Sequence, residues 1–107
     1  MDFPITFCDA RSCDPADMIK IPVQDYAGGG FDFHTLGVAA RDDARHDWYA
    51  FPDMSIDEAI AFRTYDSELA EAGEIFWTPH SAHQNPAVEP GSPARRSIEL
   101  RATCITL

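Results

Sequence analysis

Two short stretches carry side chains suited to chemistry. The first is Thr78-Pro79-His80-Ser81-Ala82-His83, where an apolar run ends in two imidazoles three residues apart. The second is Arg95-Arg96-Ser97, at the start of the last apolar-alternating segment. A neutral imidazole ligates a metal through one ring nitrogen. A guanidinium grips a carboxylate with two parallel hydrogen bonds, which suits a dicarboxylate cosubstrate. A serine two residues further along a strand points the same way and can donate a third bond. His80, Arg95 and Ser97 are therefore the candidates for a metal ligand and a carboxylate anchor.

A mononuclear non-haem iron centre needs more than one imidazole. It uses two histidines and one carboxylate and keeps other positions open. The carboxylate usually arrives as His-x-Asp or His-x-Glu on one strand, and the chain has neither spacing. His46 and Asp47 are adjacent, so a strand would turn them to opposite faces. His80 and His83 could meet on a turn, and with His46 they make the other candidate metal set, a cupin-like zinc or iron site. Taken alone, His80 reads as a hydrogen-bonded structural histidine, and Arg95, Arg96 and Arg101 as cations offsetting an acidic surface. The glycines of Ala27-Gly28-Gly29-Gly30 lack phosphate-loop spacing, and no Lys-Ser/Thr follows them. Cys8, Cys13 and Cys104 are odd in number and lack CxxC spacing, which reads as free thiols in a reducing cytoplasm.

The scaffold for these groups has to be small. A chain of 107 residues is one domain at most, and 45% apolar content is ordinary for a globular protein. A net charge of −10 repels phosphate backbones, so nucleic acid is excluded as a partner. No apolar run is long enough to span a bilayer. The N-terminal MDFPITFC lacks the basic start and apolar core of an export signal, so the expected location is cytoplasmic.

Short strands are expected at 4–8, 31–35, 48–51 and 75–78, with a final strand over 97–106, where Ile98, Leu100, Ala102 and Cys104 alternate with polar residues. Asp14-Pro15 predicts a single helical turn, ended by Ile21-Pro22. Residues 41–45 read as a charged turn and Pro52-Asp53 as the end of the aromatic strand. Ser55-Ile56-Asp57-Glu58 fits a capping box, within a turn at 52–58. Residues 59–65 fit a strand or a short amphipathic helix, with the strand preferred. Asp66 to Gly73 suits one or two helical turns closed by glycine. Three prolines and a glycine make 84–93 a loop. The pattern is mostly β, a sandwich or barrel with short helical turns.

The segments CDARSCDPADMI, HDWYAFPDM, DEAIAFRTYDS, PHSAH and RRSIELRA occur in an order that resembles the AsaB-type hydroxylase/desaturases, also called the CmcJ/NvfI oxidoreductase family. The resemblance runs from about Pro4 to the C-terminus. It implies half of a double-stranded β-helix (jelly roll), residues 1–107 being the C-terminal part of an oxygenase-like domain. It also implies an Fe(II)- and 2-oxoglutarate-dependent oxidoreductase acting on a small organic metabolite. In that family pattern, Pro-His-Ser/Thr-Ala makes His80 the distal iron ligand, and Arg-x-Ser makes Arg95 and Ser97 the cosubstrate anchor. The pattern carries an aromatic residue where His83 stands and an acidic one where Arg96 stands. The family's His-x-Asp lies upstream of the segment matching Pro4. The lone chain is therefore expected to be inactive, and to be completed by an N-terminal half or by self-association. The other reading is a small acidic β domain that binds a partner protein without catalysis.

Overall fold

The structure, a computed structural model, describes residues 3–40, 45–51 and 53–105. It is mostly β, with two antiparallel sheets and one short α-helix. The first sheet is built around β1 (Ile5–Cys8), a run of β-branched and apolar side chains suited to a strand. β1 lies between β4 (Trp48–Ala50) and β5 (His80–Ala82), antiparallel to both. Its central place explains why Thr6, Phe7 and Cys8 are buried while β4 and β5 are exposed. The second sheet is the hairpin of β2 (Met18–Val23) and β3 (Phe33–Val38), paired from Met18↔Val38 to Val23↔Phe33.

Local chemistry sets the connections. Asp9 and Asp14 each cap a single 3-10 turn, accepting from the backbone N–H of Arg11 and Ala16. Pro15 stands at the first position of its turn, as expected. The turn ends at Asp17, so Ile21-Pro22 does not stop it. Those two residues lie inside β2, where a two-stranded ribbon tolerates proline on its unpaired side. Between β2 and β3, the Tyr26 N–H donates to the Phe31 carbonyl, and the Gly30 N–H to the Asp25 carboxylate. Gly28 and Gly30, both at φ +69°, supply the left-handed conformation this turn needs. The Ser55 N–H donates to the Glu58 carboxylate at 2.6 Å, which draws that carboxyl below its usual pKa. The helix α1 (Ser67–Ala72) is capped by the Asp66 carboxylate on the Leu69 N–H and closed by Gly73 at φ 75°.

Three expected strands are absent. Residues 59–65 form neither strand nor helix, and residues 75–78 lead into β5 without joining it. Ile75 and Trp77 are instead buried in the small core with Phe7 and Cys8. The segment 97–105 has the alternation of a strand and no partner strand beside it, so its backbone is in neither sheet and Ile98 is 100% exposed. A period-two pattern states what a segment suits; a ladder of hydrogen bonds needs a neighbour. The expected charged turn lies outside the described residues except for Arg45, as do Pro52 and the end of the final segment. Among the described residues, no helix is long and apolar enough to cross a membrane.

Candidate functional site

His80 opens β5 directly opposite Phe7 of β1, and Tyr49 of β4 faces Phe7 from the other side. Opposed residues share a sheet face, so Tyr49, Phe7 and His80 line one side of the sheet. The stretch before His80 is tied down from three directions. The Thr78 N–H donates to the Arg63 carbonyl at 2.8 Å, and the Cys8 N–H donates to the Pro79 carbonyl at 2.8 Å. His80 Nδ1 lies 2.9 Å from the Thr78 carbonyl oxygen. A carbonyl only accepts, so Nδ1 carries a proton, and in the neutral ring that leaves the lone pair on Nε2. The ring is stacked on Phe7 at 5.9 Å between centroids and tilted against Phe62 at 4.7 Å. Phe62 and Phe7 are themselves 4.9 Å apart. Donation of one ring N–H to a backbone carbonyl fixes the tautomer, an arrangement found in structural and in metal-ligating histidines alike.

The other histidines do not join it. β5 is a strand and not a turn, so His83, three residues on, belongs to the opposite face. There it lines an open concavity of about 460 Å³ with Thr6, Trp48, Ala50, Ser81 and Ala82. The His83 N–H donates to the Pro4 carbonyl, and its buried Nδ1 has no hydrogen-bond partner. His46 Nε2 sits 3.4 Å from the carboxylate of Asp17, which is 1% exposed and also faces Arg45 at 3.7 Å. The cupin-like set of His46, His80 and His83 is therefore dispersed. Among the described residues, no group of three His, Cys, Asp or Glu is arranged to hold a metal.

Arg95 and Ser97 are brought together. Arg95 Nη1 donates to Ser97 Oγ at 2.9 Å, and Arg95 Nε donates to the Phe3 carbonyl at 3.1 Å. The guanidinium is thus fixed at the entry to β1, while His80 lies opposite Phe7, four residues further along. No hydrogen bond joins His80 to either residue. Arg101 pairs with Glu99 at 2.9 Å, which leaves it to the surface.

Sequence reasoning missed the aromatic wall, because Phe62 stands in a segment with no regular structure to mark its face. It also missed a thiol pair. Cys8 Sγ and Cys13 Sγ are 3.5 Å apart at the end of β1, across the Asp9-capped turn. Burial, followed by the contact with Cys8, pushes the Cys13 thiol up to about 12. In the same turn, the Arg11 guanidinium, hydrogen-bonded to Asp9, draws that carboxyl down to about 2. A strand residue followed five positions later by a second cysteine, with a capping Asp between, was the available signal.

Comparison with known proteins identifies the family of the chain. A family model described as an oxidoreductase/YMDC permease-like domain matches residues 1–105. The chain is 34% identical over 106 residues to the hydroxylase/desaturase efuI of Hormonema carpetanum, covering 92% of this chain and 34% of the relative. It is 29% identical over 110 residues to the hydroxylase/desaturase asaB of Aspergillus flavus, covering 92% of this chain and 46% of the relative. The chain belongs to this oxidoreductase family. It spans less than half the length of either AsaB-type relative. No solved structure matches it significantly. The family-model match spans β1, β5 and the Arg95–Ser97 pair together, because it runs over residues 1–105.

Proposed function

We propose that this chain is the C-terminal part of a hydroxylase/desaturase of double-stranded β-helix fold, dependent on Fe(II) and 2-oxoglutarate and acting on a small organic metabolite. The observation that carries the reading is His80, with Nδ1 committed to the Thr78 carbonyl and, in the neutral ring, the lone pair left on Nε2. That donor suits one position of a facial two-histidine, one-carboxylate set. Bound iron and 2-oxoglutarate supply the oxidising chemistry. His80 contributes one ligand, and the other two come from a His-x-Asp outside this chain. Arg95 receives the distal carboxylate of the cosubstrate, its Nε and Nη1 already fixed by Phe3 and Ser97. A guanidinium held in this way loses little freedom on binding. Phe7 and Phe62 keep water from one side of the imidazole.

The proposal predicts that the chain alone binds Fe(II) weakly. One imidazole has no chelate partner, and water competes for the ion. An anaerobic titration with Fe(II) and 2-oxoglutarate, followed by visible absorption, then shows no charge-transfer band for residues 1–107. The band and succinate release appear when a segment carrying His-x-Asp is added, and His80→Ala removes both. A strong band from the isolated chain would overturn the divided site.

A further inference from the structure

We propose that Cys8 and Cys13 form an oxidisable dithiol, a modification site that closes a disulfide across the turn after β1 when the protein meets a hydroperoxide. The inference is independent of the oxygenase reading. Its basis is the fixed approach of the two sulfurs, 3.5 Å apart in the reduced protein. A disulfide bond is about 2.05 Å long, so closure requires roughly 1.5 Å of movement, within reach of small side-chain rotations.

The turn between the two cysteines is held in place by several contacts. The Asp9 carboxylate accepts from the Arg11 N–H, the Ser12 N–H donates to the Asp9 carbonyl, and the Cys13 N–H donates to the Ala10 carbonyl. Ser12 Oγ donates to the Asp9 carbonyl at 2.6 Å and accepts from the Asp47 N–H at 2.9 Å, which ties the turn to the start of β4. The same Asp9 carbonyl oxygen faces both thiols, at 3.7 Å from Cys8 and 3.8 Å from Cys13. Cys8 is buried, whereas Cys13 is partly open to solvent. The order of events follows from that difference. Its raised pKa leaves Cys13 only a small fraction of thiolate at neutral pH, so the first step is slow and quickens as pH rises: that thiolate attacks the peroxide, the O–O bond breaks, hydroxide leaves and Cys13 becomes a sulfenic acid. The Cys8 sulfur then attacks the Cys13 sulfur, the S–O bond breaks and water departs with the Cys8 proton. Two thiols are oxidised to one disulfide, and one hydrogen peroxide is reduced to two waters. The third thiol, Cys104, is exposed and lies in the segment without a partner strand, so it reports non-selective oxidation.

The test treats the reduced, purified chain with hydrogen peroxide, alkylates the remaining thiols under denaturing conditions and maps the peptides by mass. The expected product is a monomer lighter by two hydrogens, cross-linked between Cys8 and Cys13, restored by dithiothreitol. Cys104→Ser leaves the cross-link intact, and Cys13→Ser abolishes it while Cys8 stays alkylatable. Alkylation of both Cys8 and Cys13 after peroxide has oxidised Cys104 would overturn the proposal. So would conversion of Cys13 to the sulfinic acid without a cross-link. The wild-type peptide map decides between these outcomes even if a variant fails to fold.

Discussion

At the scale of single residues, His80, His46 and His83 separate by what holds their ring nitrogens. His80, an exposed residue, gives one nitrogen to a carbonyl, whereas His46 is spent on a buried charge. The Asp17 carboxylate is 1% exposed, and His46 is one of its partners, with Arg45 another. Removing a partner from a buried carboxylate costs more than the contact itself, because the charge stays behind. His46→Ala should therefore destabilise the fold by about 1–3 kcal/mol in urea denaturation, while leaving any metal binding by His80 unchanged. The sequence singled out His80 through its Pro-His-Ser-Ala context, and Arg95 with Ser97 through their spacing, as candidates. It did not reveal that His46 answers Asp17, since residues 29 apart in the chain carry no local sign of contact. The thiol pair was hidden for a related reason: its closeness depends on a 3-10 turn that only the capping geometry of Asp9 produces.

At the scale of elements, prediction worked where a segment's structure is settled within the segment. α1 is the clearest case, because its N-terminal Asp66 and its C-terminal Gly73 supply both ends from side chain and backbone alone. Asp66 has two tasks, since its carboxylate also faces Arg63 at 3.3 Å. Asp66→Ala should cost about 1 kcal/mol through the lost cap, and Asp66→Asn should recover most of that, because an amide oxygen still accepts from the Leu69 N–H. Comparing the two by thermal denaturation separates the cap from the ion pair. β1, β3 and β4 were legible for the same reason, as β-branched and aromatic runs bounded by Asp, Gly and Pro, whereas β2 was missed, because Ile21-Pro22 reads as the stop of a helical turn and the strand Met18–Val23 runs through it. The strand at 75–78 was misplaced by a few residues: burial of Ile75 and Trp77 gave it the apolar signature of a strand, while the ladder with β1 begins only at His80.

At the scale of the whole molecule, the apolar surface is poorly covered. The radius of gyration is 16.0 Å, against about 13 Å for a compact chain of this length. Ile98 and Leu100 are 100% and 91% exposed, in a segment whose alternation fits one face of a sheet. No sequence pattern could show this, because the pattern describes a strand whether or not its neighbour is present. If the rest of the family fold supplies that neighbour, amide hydrogens of residues 97–104 should exchange at near-random-coil rates in the isolated chain. They should become protected by at least tenfold, about 1.4 kcal/mol of local stability, when the upstream part is supplied. Hydrogen exchange read by mass spectrometry measures both states, and protection already present in the isolated chain would argue against a missing neighbour.

The central position of β1 has a consequence in time. The hydroxyl of Thr6 donates to the carbonyl of Ser81, 75 residues later, and β1 has no other partner strand nearer than β4. A ribosome adds about 5–20 residues each second, so β1 is made about 4–15 s before β5 exists. During that interval the edge of Ile5–Cys8 that later receives β5 is without that partner. An apolar strand edge left open in this way recruits other strands, including those of neighbouring nascent chains. The most buried strand among the described residues therefore waits for a partner made 75 residues later, and slower synthesis between residues 50 and 80 should lower the yield of folded chain.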